Sequence, residues 1–119
     1  MAISTLELEK ALKSLKLALD LEKTDIVRDA AIQRFEFTIE LAWKTAKKAM
    51  GSSSSASKVV IQEMAQQNLI QSPELWFDFI DGRNLTAHTY KQEVAEKVYL
   101  CAKQFEPECE RLLENLRKL

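Results

Sequence analysis

Apolar residues recur every three or four positions along the N-terminal part of the chain, which is the spacing of one face of an amphipathic helix. We predict a first helix over residues 5 to about 21, with Ser4 and Glu7 forming a capping box at its start. Leu17 and Leu21 lie off the apolar stripe of this helix and are a candidate second partner surface. The stripe itself consists of four leucines: Leu8, Leu12, Leu15 and Leu19.

A second run of helical spacing follows a short turn. It predicts a helix from Asp25 to Met50, which Thr24 caps at its start and Gly51 ends in a left-handed conformation. The alanines in its stripe would let another helix approach closely. The predicted core stripe is Ile32, Phe35, Ile39, Ala42, Ala46 and Ala49.

One flank of this second helix mixes carboxylates, an indole and amines, at Glu36, Glu40, Trp43, Lys44 and Lys47. This composition is typical of a solvent-exposed helix face, on which Glu40 and Lys44 would pair one turn apart and stabilise the helix by about 0.2–0.5 kcal/mol. The wall of a binding site or a partner surface would have it too. The pattern alone favours neither interpretation.

Serine dominates residues 51–57, which we predict to form a flexible loop. A third helix is predicted over residues 58–67, with Asn68 as its stop. A fourth begins at Ser72-Pro73-Glu74, where a cap residue, a proline and an acid follow one another.

The last helical pattern covers residues 91–119 and contains Pro107, which should kink the helix or divide it. Glycine and proline are scarce, with two of each, whereas a β-sandwich or barrel needs many turn residues. We therefore predict an all-α fold, an up-and-down bundle of four to five helices that forms one domain over residues 1–119.

Net charge and cysteine content restrict the classes of function. The formal net charge is −1, so the chain lacks the basic field of a general nucleic-acid binder, although a small RNA or nucleotide pocket would need only a few local cations. Cys101 and Cys109 have no further metal-ligand partners nearby, so we predict free thiols in a reducing cytoplasm, with no metal site and no cofactor. No signal peptide and no membrane span are expected.

One polar segment interrupts the helical pattern, from Arg83 to Tyr90, and it contains the only histidine of the chain, His88. Gly82 directly precedes it, which indicates close approach of another helix or a ligand, or else a local bend without a role. On a continuous helix, residues four apart differ by about 40° in direction and residues five apart by about 140°. We therefore expect Asn84, rather than Arg83, to share a face with His88.

Arginine, asparagine and histidine in one segment suit the chemistry of a phosphodiester. Arginine binds phosphate through two parallel donors, and histidine exchanges a proton near neutral pH. RNA cleavage by the 2′-hydroxyl needs a base, an acid and a cation, and a chain with one histidine could supply both base and acid only as a two-fold dimer. The structural alternative is a histidine that bonds a backbone carbonyl or stabilises a helix end.

Residues 83–90, Arg-Asn-Leu-Thr-Ala-His-Thr-Tyr, resemble the Arg-x4-His-x-Tyr signature of HEPN proteins (higher eukaryotes and prokaryotes nucleotide-binding). The segment 32–44 and Trp76 further resemble the nucleotidyltransferase substrate-binding protein family, and this likeness covers most of the chain. The match is looser at residues 52–57 and at Phe79-Ile80, where a Met-Leu-like pair is expected.

This resemblance implies a helical bundle that forms a homodimer or a higher even oligomer, with a separately encoded minimal nucleotidyltransferase of the polymerase-β type as partner. In the toxin–antitoxin interpretation, the chain is a metal-independent ribonuclease. Arg83 and His88 would then be catalytic, Asn84 would orient them, and Tyr90 would accept AMP from the transferase. In an older interpretation, the chain is a non-catalytic subunit that presents substrate or nucleotide to the transferase. A plain helical interaction module is the third alternative.

Overall fold

The computed structural model describes residues 3–119. All regular secondary structure in this range is helical, which confirms the predicted all-α bundle. None of these helices combines the length and the apolar character needed to cross a membrane. The helices are α1 (Leu6–Asp20), α2 (Asp25–Met50), α3 (Ser57–Gln66), α4 (Pro73–Asn84) and α5 (Gln92–Arg117), with a 3-10 turn (Thr86–His88) between α4 and α5.

The long helix α2 is the centre of the bundle, because it packs against each of the other helices and against the 3-10 turn. A cluster of four buried aromatic rings joins α2 to α4 and α5, and Phe105 of α5 is its hub. The ring centroid of Phe105 lies 5.3–5.6 Å from those of Phe35, Trp76 and Phe79, each time edge to face. Such a pair contributes about 0.5–1.5 kcal/mol beyond area burial, so this cluster fixes α4 firmly against α2.

The predicted core stripes are confirmed, except that the last residue of each stripe is only half-buried, Leu19 in α1 and Ala49 in α2. Leu17 and Leu21, which lie off the α1 stripe, are 60 % and 54 % exposed, so their role as a partner surface stays a prediction. The buried members of the two stripes are Leu8, Leu12, Leu15, Ile32, Phe35, Ile39, Ala42 and Ala46.

Three predicted helix boundaries are confirmed by their local geometry. The Thr24 hydroxyl accepts a hydrogen bond from the backbone N–H of Val27 at 3.1 Å, and the Ser72 hydroxyl accepts one from that of Leu75 at 3.2 Å. Such a side-chain cap contributes about 1 kcal/mol. Gly51 ends α2 at φ +67°, the left-handed conformation that glycine adopts without strain.

The predicted capping box at the start of α1 is wrong. The helix begins at Leu6 behind Thr5, one residue later than predicted, and Thr5 makes no side-chain cap. Ser4 therefore lies before the cap position, and Glu7 is the second residue of the helix instead of the third, which is the one that bonds back to the cap. The Ser4 hydroxyl accepts only a long contact, at 3.4 Å, from the backbone nitrogen of Leu6.

Helix α5 runs without a break through Pro107, so the predicted division of this helix does not occur. Proline removes one backbone hydrogen bond, the one that its missing N–H would donate to the carbonyl of Lys103. Phe105 and Cys109 on either side of Pro107 are fully buried, and their packing holds both halves of the helix on the core.

Gly82 is a point of close approach between α4 and α5, as predicted. A Cβ atom built on Gly82 would lie 2.6 Å from the Cys101 Sγ of α5, so the contact is with a helix. Both cysteines are free thiols, which confirms the prediction from their spacing. Burial raises the pKa of the Cys101 thiol to about 11 and also raises the pKa of Cys109, so both stay protonated at neutral pH.

Candidate functional site

The polar segment leaves the helix before it reaches the histidine. Helix α4 ends at Asn84, and in the 3-10 turn that follows the His88 N–H donates to the Leu85 carbonyl at 2.9 Å. The Lys91 N–H then donates to the His88 carbonyl at 3.1 Å, just before α5 begins. The premise of one continuous helix through Asn84 and His88 is therefore wrong, and the angle of about 40° between them does not apply.

The side chains of Asn84, His88 and Tyr90 project from this turn region into solvent. All three are exposed, Tyr90 by 78 %, and the ring centroids of His88 and Tyr90 lie 6.3 Å apart. Within the segment, the side-chain hydrogen bonds to residues 3–119 come from Thr86 and Thr89, each to the carbonyl three residues earlier. One form of the structural alternative for His88, a bond from its ring to a backbone carbonyl, is not formed among the described residues. The other form, stabilisation of a helix end by His88, stays a prediction.

Arg83 differs from these three residues because α2 holds it in place. Its Nε lies 2.7 Å from Glu40 Oε1, and the other carboxylate oxygen of Glu40 lies 3.4 Å from Lys44 Nζ. The Arg83 side chain is 38 % exposed, and its Nε is buried in an ion pair that lacks the alignment of a hydrogen bond. The terminal guanidinium nitrogens make no hydrogen bond to residues 3–119 and can present two donors to a phosphate.

A surface groove borders the same carboxylate. We call it the α2 groove, and it has a volume of about 750 Å³ between the start of α1, the second half of α2 and the serine loop. Four members of the predicted mixed flank line it, whereas Glu36 is exposed elsewhere on α2; the four are Glu40, Trp43, Lys44 and Lys47. The predicted Glu40–Lys44 pair is present, and the flank is also the wall of a cavity. The α2 groove is lined chiefly by Ile3, Glu40, Leu41, Trp43, Lys44, Lys47 and Lys48.

Trp43 is buried, which a residue on a solvent-exposed helix face would not be. Its side chain belongs to the core and is only 7 % exposed. The indole Nε1 is buried, and no residue from 3 to 119 accepts a hydrogen bond from it. A buried donor without a partner costs about 1–3 kcal/mol, so a residue that lines the α2 groove carries an unsatisfied polar atom in its buried part.

Two features of this region were not predicted from the sequence. The Arg83–Glu40 pair joins residues 43 positions apart, and only the packing of α4 on α2 brings them together. Lys48 was also missed as a groove residue, although three lysines among residues 44–48 were a visible signal. In the described part of the chain, no three His, Cys, Asp or Glu side chains are grouped so that they could hold a metal ion.

Comparison with known proteins gives both a family and a relative with a named activity. The model of the family described as nucleotidyltransferase substrate binding protein like matches residues 4–118. A curated relative from Haemophilus influenzae, named probable ribonuclease HepT, is 34% identical over 102 residues, which cover 79% of this chain and 70% of the relative.

Two solved structures share the fold over nearly their whole length. A protein from Thermus thermophilus gives a TM-score of 0.86 at 33% identity, covering 92% of this chain and 98% of that one. A Haemophilus influenzae protein, described as having the fold of a substrate binding domain of a nucleotidyltransferase, gives 0.83 at 30% identity, covering 96% and 99%. Because the family model spans nearly all of the sequence, the chain belongs to the nucleotidyltransferase substrate-binding protein-like family, as residues 32–44 and 83–90 predicted.

Proposed function

We propose that the chain is a metal-independent ribonuclease of a two-gene, toxin–antitoxin-like system, with Arg83 and His88 as its catalytic residues. The observation that carries this proposal is the arrangement at the end of α4. Glu40 anchors Arg83 through Nε and leaves its terminal nitrogens for a phosphate, while His88 stands exposed five residues later. Asn84 would orient these two side chains. The relative named probable ribonuclease HepT supports the same reaction class.

In the proposed reaction, the 2′-hydroxyl of one ribose attacks the adjacent phosphorus atom. One histidine takes the proton of that hydroxyl, and the bond from phosphorus to the 5′-oxygen of the next nucleotide breaks. A second histidine gives a proton to the leaving 5′-oxygen. The products are a 2′,3′-cyclic phosphate and a 5′-hydroxyl end. Arg83 would stabilise the negative charge that develops on the phosphate oxygens.

The reaction needs two chains, because each chain has a single histidine. We propose a two-fold homodimer, or a higher even oligomer, in which the polar segments of two chains face one cleft. The exposure of Asn84, His88 and Tyr90 supports this arrangement, since a second copy could approach all three without moving the core.

The proposed control of this activity is AMP transfer to Tyr90 by a partner, a minimal nucleotidyltransferase of the polymerase-β type. The Tyr90 phenol oxygen attacks the α-phosphorus of ATP, pyrophosphate leaves, and the phenolic proton passes to solvent. The Tyr90 ring is 78 % exposed and 6.3 Å from that of His88, so an attached nucleotide would bring negative charge beside the histidine and compete with RNA. Intact mass tests this step: we expect one added adenylyl group in the wild type and none in Tyr90→Phe. Equal addition to both would exclude Tyr90 as the acceptor.

Cleavage of single-stranded RNA in the presence of a chelator tests the ribonuclease. We expect His88→Ala and Arg83→Ala to lose cleavage, and Arg111→Ala to keep it, because Arg111 is an exposed arginine on α5 whose ion pair is with Glu108. The cleaved strands should carry 2′,3′-cyclic phosphate ends. Cleavage that survives in both site variants, or an inactive wild type, would contradict the proposal.

A second candidate function is that of a non-catalytic subunit that presents a nucleotide or other substrate to the transferase. The α2 groove favours it, because a cavity with an apolar wall and a cationic rim suits nucleotide binding without any chemistry at His88. This candidate predicts that a complex with the transferase forms and that His88→Ala leaves the activity of the complex unchanged.

A further inference from the structure

The α2 groove has the size and the wall chemistry of a small-ligand site. Its volume of about 750 Å³ lies within the range of roughly 300–1,000 Å³ that such sites occupy. Ile3, Leu41 and Trp43 give the groove an apolar lining, and Lys44, Lys47 and Lys48 of the last turns of α2 line it too. An apolar surface beside amines suits a ligand in which a flat base is joined to a phosphate.

Positive charge exceeds negative charge along this groove. Neither Lys47 nor Lys48 has an ion-pair partner among residues 3–119, although both line the groove. The lining carboxylates are Glu7 and Glu40, and Glu40 is already shared with Arg83 at 2.7 Å. The chain as a whole has a formal net charge of −1, so the groove is a local excess of positive charge that favours an anionic ligand.

Trp43 adds an independent observation, because its side chain is more than nine-tenths buried and its indole N–H has no partner among residues 3–119. The ammonium of Lys44 lies 5.7 Å from the centre of the Trp43 ring, which holds this lysine at the groove wall. A nucleobase that packs against the Trp43 side chain would leave its phosphate to the lysines of the groove.

One carboxylate, that of Glu40, connects the groove to the candidate catalytic site. Glu40 lines the groove, holds Arg83 with one oxygen, and lies 3.4 Å from Lys44 with the other. A strand whose scissile phosphate lies on Arg83 would therefore pass Glu40 and reach the groove with a neighbouring nucleotide.

We propose that the α2 groove binds a nucleotide unit of the RNA strand next to the bond that is cleaved, with the base against the Trp43 wall and its phosphate on Lys47 and Lys48. This inference rests on the proposed ribonuclease function. A free mononucleotide has the same chemistry, but the contact between groove and Arg83 through Glu40 favours a strand that occupies both sites at once.

Binding of an RNA oligonucleotide with 2′-O-methyl riboses tests this site, because that strand lacks the nucleophile and cannot be cleaved. The groove variant is Lys47→Ala/Lys48→Ala. The matched control is Lys13→Ala/Lys118→Ala, which removes the same charge from exposed positions outside the groove. We expect at least about tenfold weaker binding for the groove variant alone, and a slope of log K against log salt that is smaller by roughly 0.7, the contribution of one phosphate contact. Circular dichroism verifies that each variant is folded.

The indole N–H resonance of Trp43 locates the ligand. The chain has two tryptophans, so Trp43→Phe assigns the two indole signals. The methylated strand should shift the Trp43 signal, and AMP should shift it only at far higher concentration. An unshifted Trp43 signal, equal binding by the groove variant and its control, or AMP that binds as tightly as the strand would overturn the proposal.

Failure of this subsite and failure of the ribonuclease give different results. If His88→Ala stops cleavage while the groove variant binds the methylated strand like its control, the subsite is wrong and the ribonuclease remains. If wild-type protein cleaves no RNA but binding depends on Lys47 and Lys48, the ribonuclease is wrong and the α2 groove remains a nucleotide-strand site.

Discussion

Arg83 and Glu40 form an ion pair between α4 and α2, with Nε 2.7 Å from Oε1. This contact fixes the inner end of the guanidinium and leaves its terminal nitrogens without a hydrogen bond to residues 3–119. The second oxygen of Glu40 lies 3.4 Å from Lys44 Nζ in the α2 groove. One carboxylate therefore positions a cation at the candidate catalytic site and another at the neighbouring groove.

Glu40 acts by positioning Arg83. Glu40→Gln should therefore lower kcat for RNA cleavage by about tenfold with a smaller change in KM, because Arg83 loses its orientation in the transition state. The pair is partly exposed, so the free energy of unfolding should change by less than about 1 kcal/mol. Glu36→Gln is the matched control, exposed one turn earlier on the same helix. Equal kinetics of the two variants would show that Glu40 does not position Arg83.

Gly82→Ala should destabilise the chain by about 1–3 kcal/mol, because the new Cβ would lie 2.6 Å from Cys101 Sγ and press α4 away from α5. Cys101→Ala removes that sulfur, so the double variant should recover part of the loss in a double-mutant cycle of urea denaturation. Gly51→Ala should lower the free energy of unfolding by about 1–2 kcal/mol for a different reason, because alanine is strained at the positive φ of this position. This loss should show no coupling to Cys101. Additive effects of Gly82→Ala and Cys101→Ala would contradict the close contact.

Acid should weaken the contact between the start of α2 and α5. Hydrogen bonds from Lys23 and then Arg28 lower the pKa of Glu96 below its usual 4.5. A carboxyl with a lowered pKa in the folded chain stabilises the fold above its unfolded pKa, and this stabilisation is lost as the pH falls through the folded value. Glu96→Gln should therefore lower the urea midpoint at pH 7, and the difference from wild type should shrink as the pH falls below 4.5. A difference from wild type that stays constant over this pH range would contradict stabilisation by these ion pairs.

Mixed dimers test whether acid and base come from two chains. A purified heterodimer of wild type and His88→Ala, isolated with two different tags, would contain one histidine in the shared cleft. We expect its cleavage rate to fall at least about a hundredfold below that of the wild-type homodimer, since general acid or base catalysis contributes roughly 10²–10⁴. A heterodimer with half the wild-type rate would mean that each chain works alone.

The sequence predicted those features that depend on neighbouring residues. Thr24, Gly51 and Ser72 mark helix ends through hydrogen bonds or backbone angles within a few positions, so local pattern was enough. The end of α4 at Asn84 was missed, because no glycine or proline stands among residues 84–90 to mark it. The burial of Trp43 was missed for a different reason. Helical spacing gives the phase of a side chain, but which phases are covered depends on how α1 and α3 pack on α2.

Proton transfer by His88 in RNA cleavage is tested by the initial rate on a single-stranded RNA in the presence of a chelator, measured for wild type and His88→Ala side by side. We expect the wild type to cleave this RNA to 2′,3′-cyclic phosphate ends, and the rate of His88→Ala to be lower by at least about a hundredfold. Equal rates for the two proteins, or no cleavage by the wild type, would contradict the catalytic role of His88.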